Sequence, residues 1–226
     1  MTYQIAIDGP AGSGKSTLAN EIAKVLGFVH VDTGALYRTV GLYMFRHGID
    51  PTDEVAVTNA LADMHLQMCY ENGVQKMYLG EEEVSAQIRT KEISVYASKV
   101  SAIGAVRAYL LQTQQDFASC HNVVMDGRDI GTVILPHAQV KLFLTTTPEE
   151  CAKRRYLEFL AQGKSTTYEE VLEDQRKRDY ADATRATAPL KPAPDAVLFD
   201  TTALDIPGAT AAALAIIAEK QKVLSV

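Results

Sequence analysis

The sequence predicts an α/β fold built on a mostly parallel β-sheet, and two observations predict it. Short apolar runs recur along the chain, and segments with apolar residues at helical spacing lie between them. Strands that are apolar on both faces are typical of a parallel sheet covered by helices on two sides. The length of 226 residues, of which 47% are apolar and 22% charged, fits one domain with an added segment.

Each element of this fold has its own signal in the sequence. The five predicted strands are the short apolar runs at 4–8, 28–32, 123–126, 140–144 and 197–200. Apolar residues at helical spacing predict helical segments at 17–26, 36–47 and 95–110. Capping boxes predict where two further helices begin, at Thr147 with Glu150 and at Thr167 with Glu170.

One segment breaks the alternation of strands and helices and predicts a small antiparallel unit. Two apolar runs flank Asn72-Gly73, a dipeptide strongly favoured in two-residue type I′ hairpin turns. Such a turn fixes the register, so the expected cross-strand pairs are Tyr70 with Gln75, Met68 with Met77, and Leu66 with Leu79. We therefore predict an antiparallel insert from about residue 50 to about residue 93.

Residues 9–16, Gly-Pro-Ala-Gly-Ser-Gly-Lys-Ser, fit the phosphate-binding motif G-x-x-x-x-G-K-[ST] between a predicted strand and a predicted helix. In this P-loop, glycines let backbone N–H groups face phosphate oxygens, the lysine reaches the β- and γ-phosphates, and the hydroxyl ligates Mg²⁺. The motif predicts a P-loop NTPase three-layer fold that binds ATP with Mg²⁺, with Ser16 as metal ligand. The expected nucleotide-binding residues are Gly9, Pro10, Ala11, Gly12, Ser13, Gly14, Lys15, Ser16 and Thr17.

A P-loop alone leaves GTPase switches, ATPase motors and small-molecule kinases open. The Asn-Lys-x-Asp element with which switch proteins read guanine does not occur in the sequence. Phosphoryl transfer to a small acceptor is therefore the leading hypothesis. The alternatives within and outside this class are a kinase for a different acceptor and a nucleotide-dependent switch whose hairpin docks a partner protein.

The net charge of −6 argues against nucleic acid or an acidic membrane as partner. No apolar run reaches the roughly 18 residues of a membrane span, so we expect a cytoplasmic protein. Eight of the 22 Lys and Arg residues nevertheless lie in one stretch: Lys153, Arg154, Arg155, Lys164, Arg176, Lys177, Arg178 and Arg185. Charge alone leaves a solvated helix face and a site for a small polyanion both open.

Cysteine and histidine chemistry is not predicted. The three cysteines, Cys69, Cys120 and Cys151, are widely spaced without a Cys-x-x-Cys pair, so neither a disulfide framework nor a zinc knuckle is indicated. We expect them to be small buried hydrophobic residues. The five histidines show no spacing typical of a metal site.

Four motifs, in order along the chain, resemble those of the bacterial cytidylate kinase family. They lie at residues 7–16, 32–38, 126–132 and 178–190. The resemblance implies a nucleoside monophosphate kinase fold over residues 1–226. Its parts would be a P-loop core at 1–48 and 94–226, a monophosphate-binding region with the insert at about 50–93, and a short helical lid at about 148–167.

The same resemblance implies the activity and the residue roles. A monomeric phosphotransferase of pyrimidine nucleotide metabolism would move the γ-phosphate of ATP to CMP or dCMP, giving ADP and CDP or dCDP. The acceptor phosphate would be bound by Thr33, Arg38, Arg128 and Arg185, the cytosine by Ser98, Arg107 and Asp129, and the ribose by Arg178 and Asp182. Arg154 or Arg155 of the lid would contact the ATP phosphates. The implied catalytic set is Lys15, Arg128, Arg154, Arg155 and Arg185.

The residue types suit these roles. Cytosine offers an amino donor and two acceptors, so an Asp that accepts and an Arg or Ser that donates complement it. Uracil would leave buried polar groups unpaired in the same site. Planar guanidinium groups bind phosphate in a bidentate manner. Arg178 and Asp182 are four residues apart, a spacing that an ordinary surface ion pair on a helix would also explain.

Two carboxylates at strand ends have open roles. Asp126 follows an apolar strand, where it would either hold a magnesium-bound water or cap the next turn. Asp8 ends the first strand and has the same ambiguity. For Asp8 we favour a structural hydrogen bond into the backbone of the P-loop.

Overall fold

The computed structural model describes residues 2–71, 73–161, 163 and 165–224. The chain divides into two compact units, which we call the P-loop unit (Met1–Val29 and His121–Val226) and the hairpin unit (His30–Cys120). Two expectations from the sequence fall outside the described residues: the turn residue Asn72, and Lys164 of the basic stretch.

Parallel strands form the centre of the P-loop unit. Strand β1 (Gln4–Asp8) pairs in parallel with β6 (Val123–Gly127) and with β7 (Val140–Thr145), and β7 pairs in parallel with β8 (Val197–Asp200). Strand β2 (Val29–Asp32), where the chain passes into the hairpin unit, completes a five-stranded sheet of order β2-β6-β1-β7-β8. All five predicted strands are confirmed.

The helices of the P-loop unit are α1 (Lys15–Leu26), α6 (Pro148–Ala161), α7 (Tyr168–Thr184) and α8 (Ile206–Leu224). A π-helical segment (Ile130–Ile134) follows β6. The predicted capping box opens α7: Thr167 accepts the Glu170 N–H, and the Glu170 side chain accepts the Thr167 N–H. Among the described residues, no helix combines the length and the apolar composition that crossing a membrane requires.

The core of the P-loop unit lies where α1 and α8 pack on the sheet. Its fully buried side chains include Ile5, Ile22, Leu142, Leu144 and Ile217. Residues on both faces of β1 and β6 are buried, as is typical of the central strands of a parallel sheet.

The hairpin unit contains helices α2 (Thr33–Arg46), α3 (Glu54–Ala60), α4 (Lys91–Val100) and α5 (Gly104–Cys120) and strands β3 (Leu66–Glu71), β4 (Val74–Leu79) and β5 (Glu82–Glu83). Strands β3, β4 and β5 form a separate three-stranded antiparallel sheet. The predicted cross-strand pairs are confirmed, and Gly73 has the positive φ, 80°, that the predicted turn requires. Met77 is buried in the core of this unit, with Leu66, Met68 and Leu79 packed against it.

Three expectations need correction. Helix α2 begins at Thr33 rather than at residue 36, because the Asp32 carboxylate accepts the Ala35 N–H at 3.2 Å and caps the helix there. The predicted helical run at 95–110 is two helices, since the chain turns between α4 and α5 through backbone hydrogen bonds such as that from the Ile103 N–H to the Val100 carbonyl, 3.1 Å. Of the cysteines, only Cys151 is buried, whereas Cys69 is half-buried and Cys120 is exposed at the end of α5.

Candidate active site

The P-loop connects β1 to α1, and two glycines shape it. Gly12 and Gly14 have φ angles of 71° and 86°, in the left-handed region that disfavours residues with a Cβ atom. Gly12 is also crowded, since a Cβ atom built on it would lie 3.2 Å from the Cβ atom of Cys151. Helix α1 begins immediately after this turn, so the positive end of its dipole lies at the loop, as anion binding requires.

Lys15 is buried at the first position of α1. Its Nζ atom donates to the Pro10 carbonyl at 2.9 Å, so the side chain folds back along the loop. Burial, together with the positive charge of Arg128, lowers the pKa of Lys15 to about 7. A polyanion bound at the loop would favour the charged form of Lys15. This buried lysine therefore suits a site that binds phosphate.

Ser16 and Asp126 place two oxygen ligands side by side. The Ser16 hydroxyl donates to Asp126 Oδ2 at 2.7 Å, and the Asp126 side chain is buried. Hydroxyl and carboxylate oxygens are ligands that Mg²⁺ accepts when phosphates and water supply the others. In the part of the chain that the structure describes, no group of three or more His, Cys, Asp or Glu side chains is arranged to hold a metal ion.

Asp8 has a structural role, but its partners differ from the expected ones. Its carboxylate accepts the N–H groups of Ile130 and Gly131, each at 2.8 Å, instead of groups of the P-loop. The reason is the register of the sheet: Asp8 lies opposite Gly127, so the chain that follows β6 passes beside it. Burial raises the pKa of Asp8 to about 6, although the two N–H bonds lower it.

Asp8→Asn is expected to change how stability depends on pH. The native pKa of about 6 lies above the usual value of 3.8, so the native state holds the proton more tightly than the unfolded state. The free energy of unfolding of the unmodified protein therefore falls as pH rises from about 4 to 6 and levels off above this range. Relative to Asp8→Asn, which cannot titrate at this position, the unmodified protein should lose about 3 kcal/mol of its free energy of unfolding across this range. Urea unfolding between pH 4 and pH 7 measures it.

Glu173→Gln is the control for this prediction. Glu173 is exposed, and its hydrogen bond with Lys177 lowers its pKa. The change with pH in the stability difference between Glu173→Gln and the unmodified protein should therefore be small and of opposite sign. A difference between Asp8→Asn and the unmodified protein that stays constant over this pH range contradicts the raised pKa.

Two arginines and two carboxylates form a buried network in the P-loop unit. Arg128 Nε donates to Asp182 Oδ2 at 2.8 Å, and the Arg185 guanidinium lies 3.6 Å from Asp182 Oδ1 and 3.8 Å from Asp129 Oδ1. Burial opposes ionisation of Asp182, but the charges of Arg128, Arg178 and Arg185 outweigh it and lower the pKa of that carboxyl. Asp182 thus orients the Arg128 guanidinium, and both carboxylates balance the charge of Arg185, before any phosphate is bound.

The backbone near Arg185 carries a local strain. Ala188 has a φ of 49°, the only positive φ of a non-glycine residue in the described ranges. A left-handed conformation costs an alanine about 1 kcal/mol. The Ala188 carbonyl accepts the Arg185 Nε–H at 2.7 Å, so the strained turn helps to orient this guanidinium.

The basic stretch contains examples of both interpretations that charge alone left open, a solvated helix face and a site for a small polyanion. Arg176 and Lys177 are exposed on α7, where they pair with Glu149 and Glu173, as on a solvated helix face. Arg178 lies close enough to Lys15 to oppose its charge. One part of the stretch is therefore ordinary surface, and another part faces the P-loop.

The two predicted lid arginines have different surroundings. Arg154 donates to the Ser13 carbonyl at 3.4 Å and to the Thr201 carbonyl at 2.8 Å, and it pairs with Glu150. The Arg155 guanidinium lies 5.1 Å from the centre of the Phe159 ring. The structure therefore brings Arg154, rather than Arg155, to the P-loop.

In the hairpin unit, Asp32 organises two predicted acceptor-phosphate residues. Its carboxylate accepts from Arg38 Nη2 at 2.6 Å, and Thr33 is buried in the helical turn that Asp32 caps. Burial opposes ionisation of Asp32, but the charge and hydrogen bond of Arg38 lower the pKa of the carboxyl. A Cβ atom at Gly34 would lie 3.0 Å from Arg38 Nη1, so glycine leaves room for this pair.

Two predicted base-reading residues lie near each other in the hairpin unit. The buried Arg107 donates to the Ser101 carbonyl at 3.0 Å and lies 5.4 Å from the centre of the Tyr37 ring. Ser98 lies on α4, and its carbonyl accepts the Ser101 hydroxyl at 2.8 Å. Ser101 is therefore a common neighbour of both residues.

Comparison with known proteins gives the family. The family model described as cytidylate kinase matches residues 5–219. The chain belongs to the cytidylate kinase family. The cytidylate kinase of Caldicellulosiruptor bescii is 47% identical over 202 residues, with 89% of each chain covered. That of Carboxydothermus hydrogenoformans is 45% identical over 221 residues, which cover 98% of this chain and 100% of that one.

Solved structures share the fold of this cytidylate kinase family member at much lower identity. A gluconokinase from Sinorhizobium meliloti is 16% identical with a TM-score of 0.50, and covers 99% of this chain and 98% of its own. An uncharacterized protein from Eubacterium ventriosum is 13% identical with a TM-score of 0.51, with coverages of 97% and 99%. These likenesses concern the fold alone, and they agree with the predicted α/β P-loop fold.

Sequence reasoning left two residues at the P-loop of this cytidylate kinase family member without a role. Gln175 and Asp179 of α7 both bind Ala11. A signal was present, because residues 175, 179 and 182 repeat at helical spacing and share a face of α7 with the motif residue Arg178.

Proposed function

We propose that this protein transfers the γ-phosphate of ATP to CMP or dCMP, giving ADP and CDP or dCDP, in pyrimidine nucleotide metabolism. Membership of the cytidylate kinase family supports the reaction. The structural observation that carries it is that Arg128 of the buried network lies close enough to Lys15 for its positive charge to lower the pKa of that lysine. Cations suited to two phosphate groups are thus concentrated in one unit.

The proposed mechanism depends on positioning and charge neutralisation. The attacking group is a phosphate oxygen of the acceptor, which is already anionic at neutral pH, so no general base is needed. Lys15 and Arg154 would neutralise charge on the donor, and Arg128 and Arg185 would bind the acceptor phosphate. Their prior orientation by carboxylates and carbonyls avoids reorganisation during transfer. Closure of the proposed lid, at about 148–167, would exclude water.

Mg²⁺ fits the Ser16 and Asp126 pair, which we propose as its position. Ser16 would ligate the ion, and Asp126 would bind it directly or through a water molecule. When bound, the ion neutralises charge on the donor phosphates. The 2.7 Å hydrogen bond between the two side chains supports this assignment, because it already orients the hydroxyl toward a carboxylate.

The remaining roles follow from the family. We propose that Thr33 and Arg38 bind the acceptor phosphate and that Ser98, Arg107 and Asp129 recognise cytosine. Arg178 and Asp182 are proposed for the ribose, and Arg155 for the ATP phosphates in a closed lid. We also propose a cytoplasmic monomer, with the region at about 50–93 framing the monophosphate.

A panel of acceptors tests the proposed function. ADP release with ATP and Mg²⁺ is measured with CMP, dCMP, UMP, AMP and GMP in turn. We expect CMP and dCMP to stimulate release far above the rate without acceptor. Stimulation by another nucleotide instead would indicate a different small-molecule kinase, and slow release that no acceptor changes would indicate a switch.

Asp129→Ala is expected to lower kcat/KM for CMP about 100-fold and that for UMP less than tenfold, because the carboxylate is proposed to accept the amino group that only cytosine has. Asp129 also faces Arg185 at 3.8 Å, so part of the loss should be common to both acceptors. Arg185→Ala is the matched comparison, since loss of a phosphate ligand should affect CMP and UMP equally. An equal loss for both acceptors in Asp129→Ala would mean that Asp129 does not recognise the base.

A further inference from the structure

Two side chains of α7 bind both polar backbone groups of one P-loop residue. Asp179 Oδ1 accepts the Ala11 N–H at 3.0 Å, and Gln175 Nε2 donates to the Ala11 carbonyl at 2.6 Å. Gln175 Nε2 also donates to Asp179 Oδ2 at 2.7 Å, which closes the set. We call Gln175 and Asp179 the α7 clasp.

The α7 clasp holds the loop from the side that faces α7. Ala11 precedes Gly12, at whose left-handed φ of 71° the loop turns toward Lys15. Cys151 packs against Gly12 on the same side: a Cβ atom built on Gly12 would lie 3.2 Å from the Cys151 carbonyl oxygen and 3.4 Å from Gln175 Oε1. The polar groups of Ala11 are thereby satisfied by side chains of α7, which leaves the N–H groups that follow available for phosphate binding.

Gln175 is the buried member of the clasp, and Asp179 is half-buried. Gln175 is only 3% exposed, and removal of its amide would leave the Ala11 carbonyl buried without its partner, an arrangement that proteins avoid. The acceptor side of α7 has a separate anchor, because Asp182 is held by Arg128 at 2.8 Å. Loss of the clasp should therefore disturb the donor loop more than the Arg128 network.

We propose that Gln175 and Asp179 are positioning residues for the donor nucleotide, which hold the P-loop in its phosphate-binding conformation through the backbone of Ala11. This inference rests on the proposed function insofar as the P-loop binds ATP. Neither side chain is expected to touch the nucleotide. Their effect on phosphate binding passes through the loop.

Gln175→Met tests the proposal, because methionine keeps the volume of the side chain and removes its hydrogen bonds. We expect the KM for ATP to rise about tenfold and the KM for CMP to change less than twofold, which corresponds to loss of about one hydrogen bond at the donor loop alone. Asp179→Asn should act in the same direction, since its amide would place a donor against Gln175 Nε2. Glu173→Gln, on the exposed face of the same helix, is the control and should leave both KM values unchanged.

Two measurements keep the proposal separate from folding and from acceptor identity. ADP binding by calorimetry without acceptor should weaken about tenfold in Gln175→Met, whichever acceptor the enzyme uses. In the unmodified, nucleotide-free protein, the Ala11 amide should exchange its hydrogen slowly, which requires no variant to fold. Three results would each overturn the proposal. The first is a Gln175→Met protein with a lowered melting temperature but unchanged ADP affinity. The others are equal rises in both KM values and rapid hydrogen exchange at the Ala11 amide. Weakened ADP binding without CMP phosphorylation would refute the proposed function and support the clasp.

Discussion

Arg128→Ala is expected to lower kcat roughly 100- to 1000-fold, the effect of removing one fixed cationic donor from a phosphoryl-transfer site. Arg128 Nε lies 2.8 Å from Asp182 Oδ2, and the Arg128 side chain is only 16% exposed. Its loss would remove a proposed phosphate ligand and leave the Asp182 carboxylate without its partner at 2.8 Å. Steady-state kinetics with CMP at saturating ATP measures the change. Arg185→Ala should have an effect of similar size.

Two further variants separate this loss from misfolding. Arg128→Lys keeps the charge but not the planar fork, so it should recover only part of the activity. Arg176→Ala removes an exposed arginine of α7 whose partner is Glu149, and it should leave kcat within about twofold because exposed ion pairs contribute little. Circular dichroism confirms folding of each variant. Normal kinetics in both Arg128→Ala and Arg185→Ala would refute their proposed role.

Lys15→Met is expected to lower kcat/KM at least 100-fold without lowering stability. The ammonium is the P-loop charge proposed to bind the donor phosphates, and methionine keeps only the apolar stem. In the nucleotide-free protein, burial depresses the pKa of Lys15 to about 7. Because the native pKa of Lys15 is lowered, its charge destabilises the native state most strongly below about pH 7. This destabilisation decreases as the pH rises from about 7 toward the usual lysine pKa of 10.5. Activity and urea unfolding at pH 6 are therefore measured on the same preparation.

Lys24→Met is the matched control for Lys15→Met. Lys24 lies in the last turn of the same helix, and its side chain is 63% exposed beside Glu21. We expect activity close to that of the unmodified protein. An active Lys15→Met protein would contradict the proposed binding of donor phosphates by Lys15, and one that unfolds more easily at pH 6 would contradict its lowered pKa.

Most of the fold could be predicted because local signals and the global fold agree. The central strands β1 and β6 are buried on both faces. The hairpin register follows from the turn length, as the pairing of Met68 with Met77 shows. The errors lie where a side chain overrides periodicity. Asp32 begins α2 earlier than its apolar pattern suggests, and a turn after Val100 interrupts a continuous helical spacing.

The candidate site was predictable where a motif specifies chemistry and less so where contacts join distant segments. The P-loop and its lysine follow from residues 9–16 alone. The partners of Asp8 depend on the alignment of β1 with β6, and the α7 clasp depends on contacts between residues 164 and 168 positions apart. No local pattern encodes such distances, so these partners required the structure.

The division of the P-loop unit between the two ends of the sequence has a consequence for synthesis on the ribosome. The Tyr3 N–H finds its partner in Asn122, 119 residues later. At a synthesis rate of about 5 to 20 residues per second, roughly 6 to 24 seconds pass between the synthesis of Tyr3 and that of Asn122. The hairpin unit is continuous in sequence and has all its own strands and helices once Cys120 has emerged. Nascent chains should therefore carry a folded hairpin unit while the apolar first strand is still unpaired.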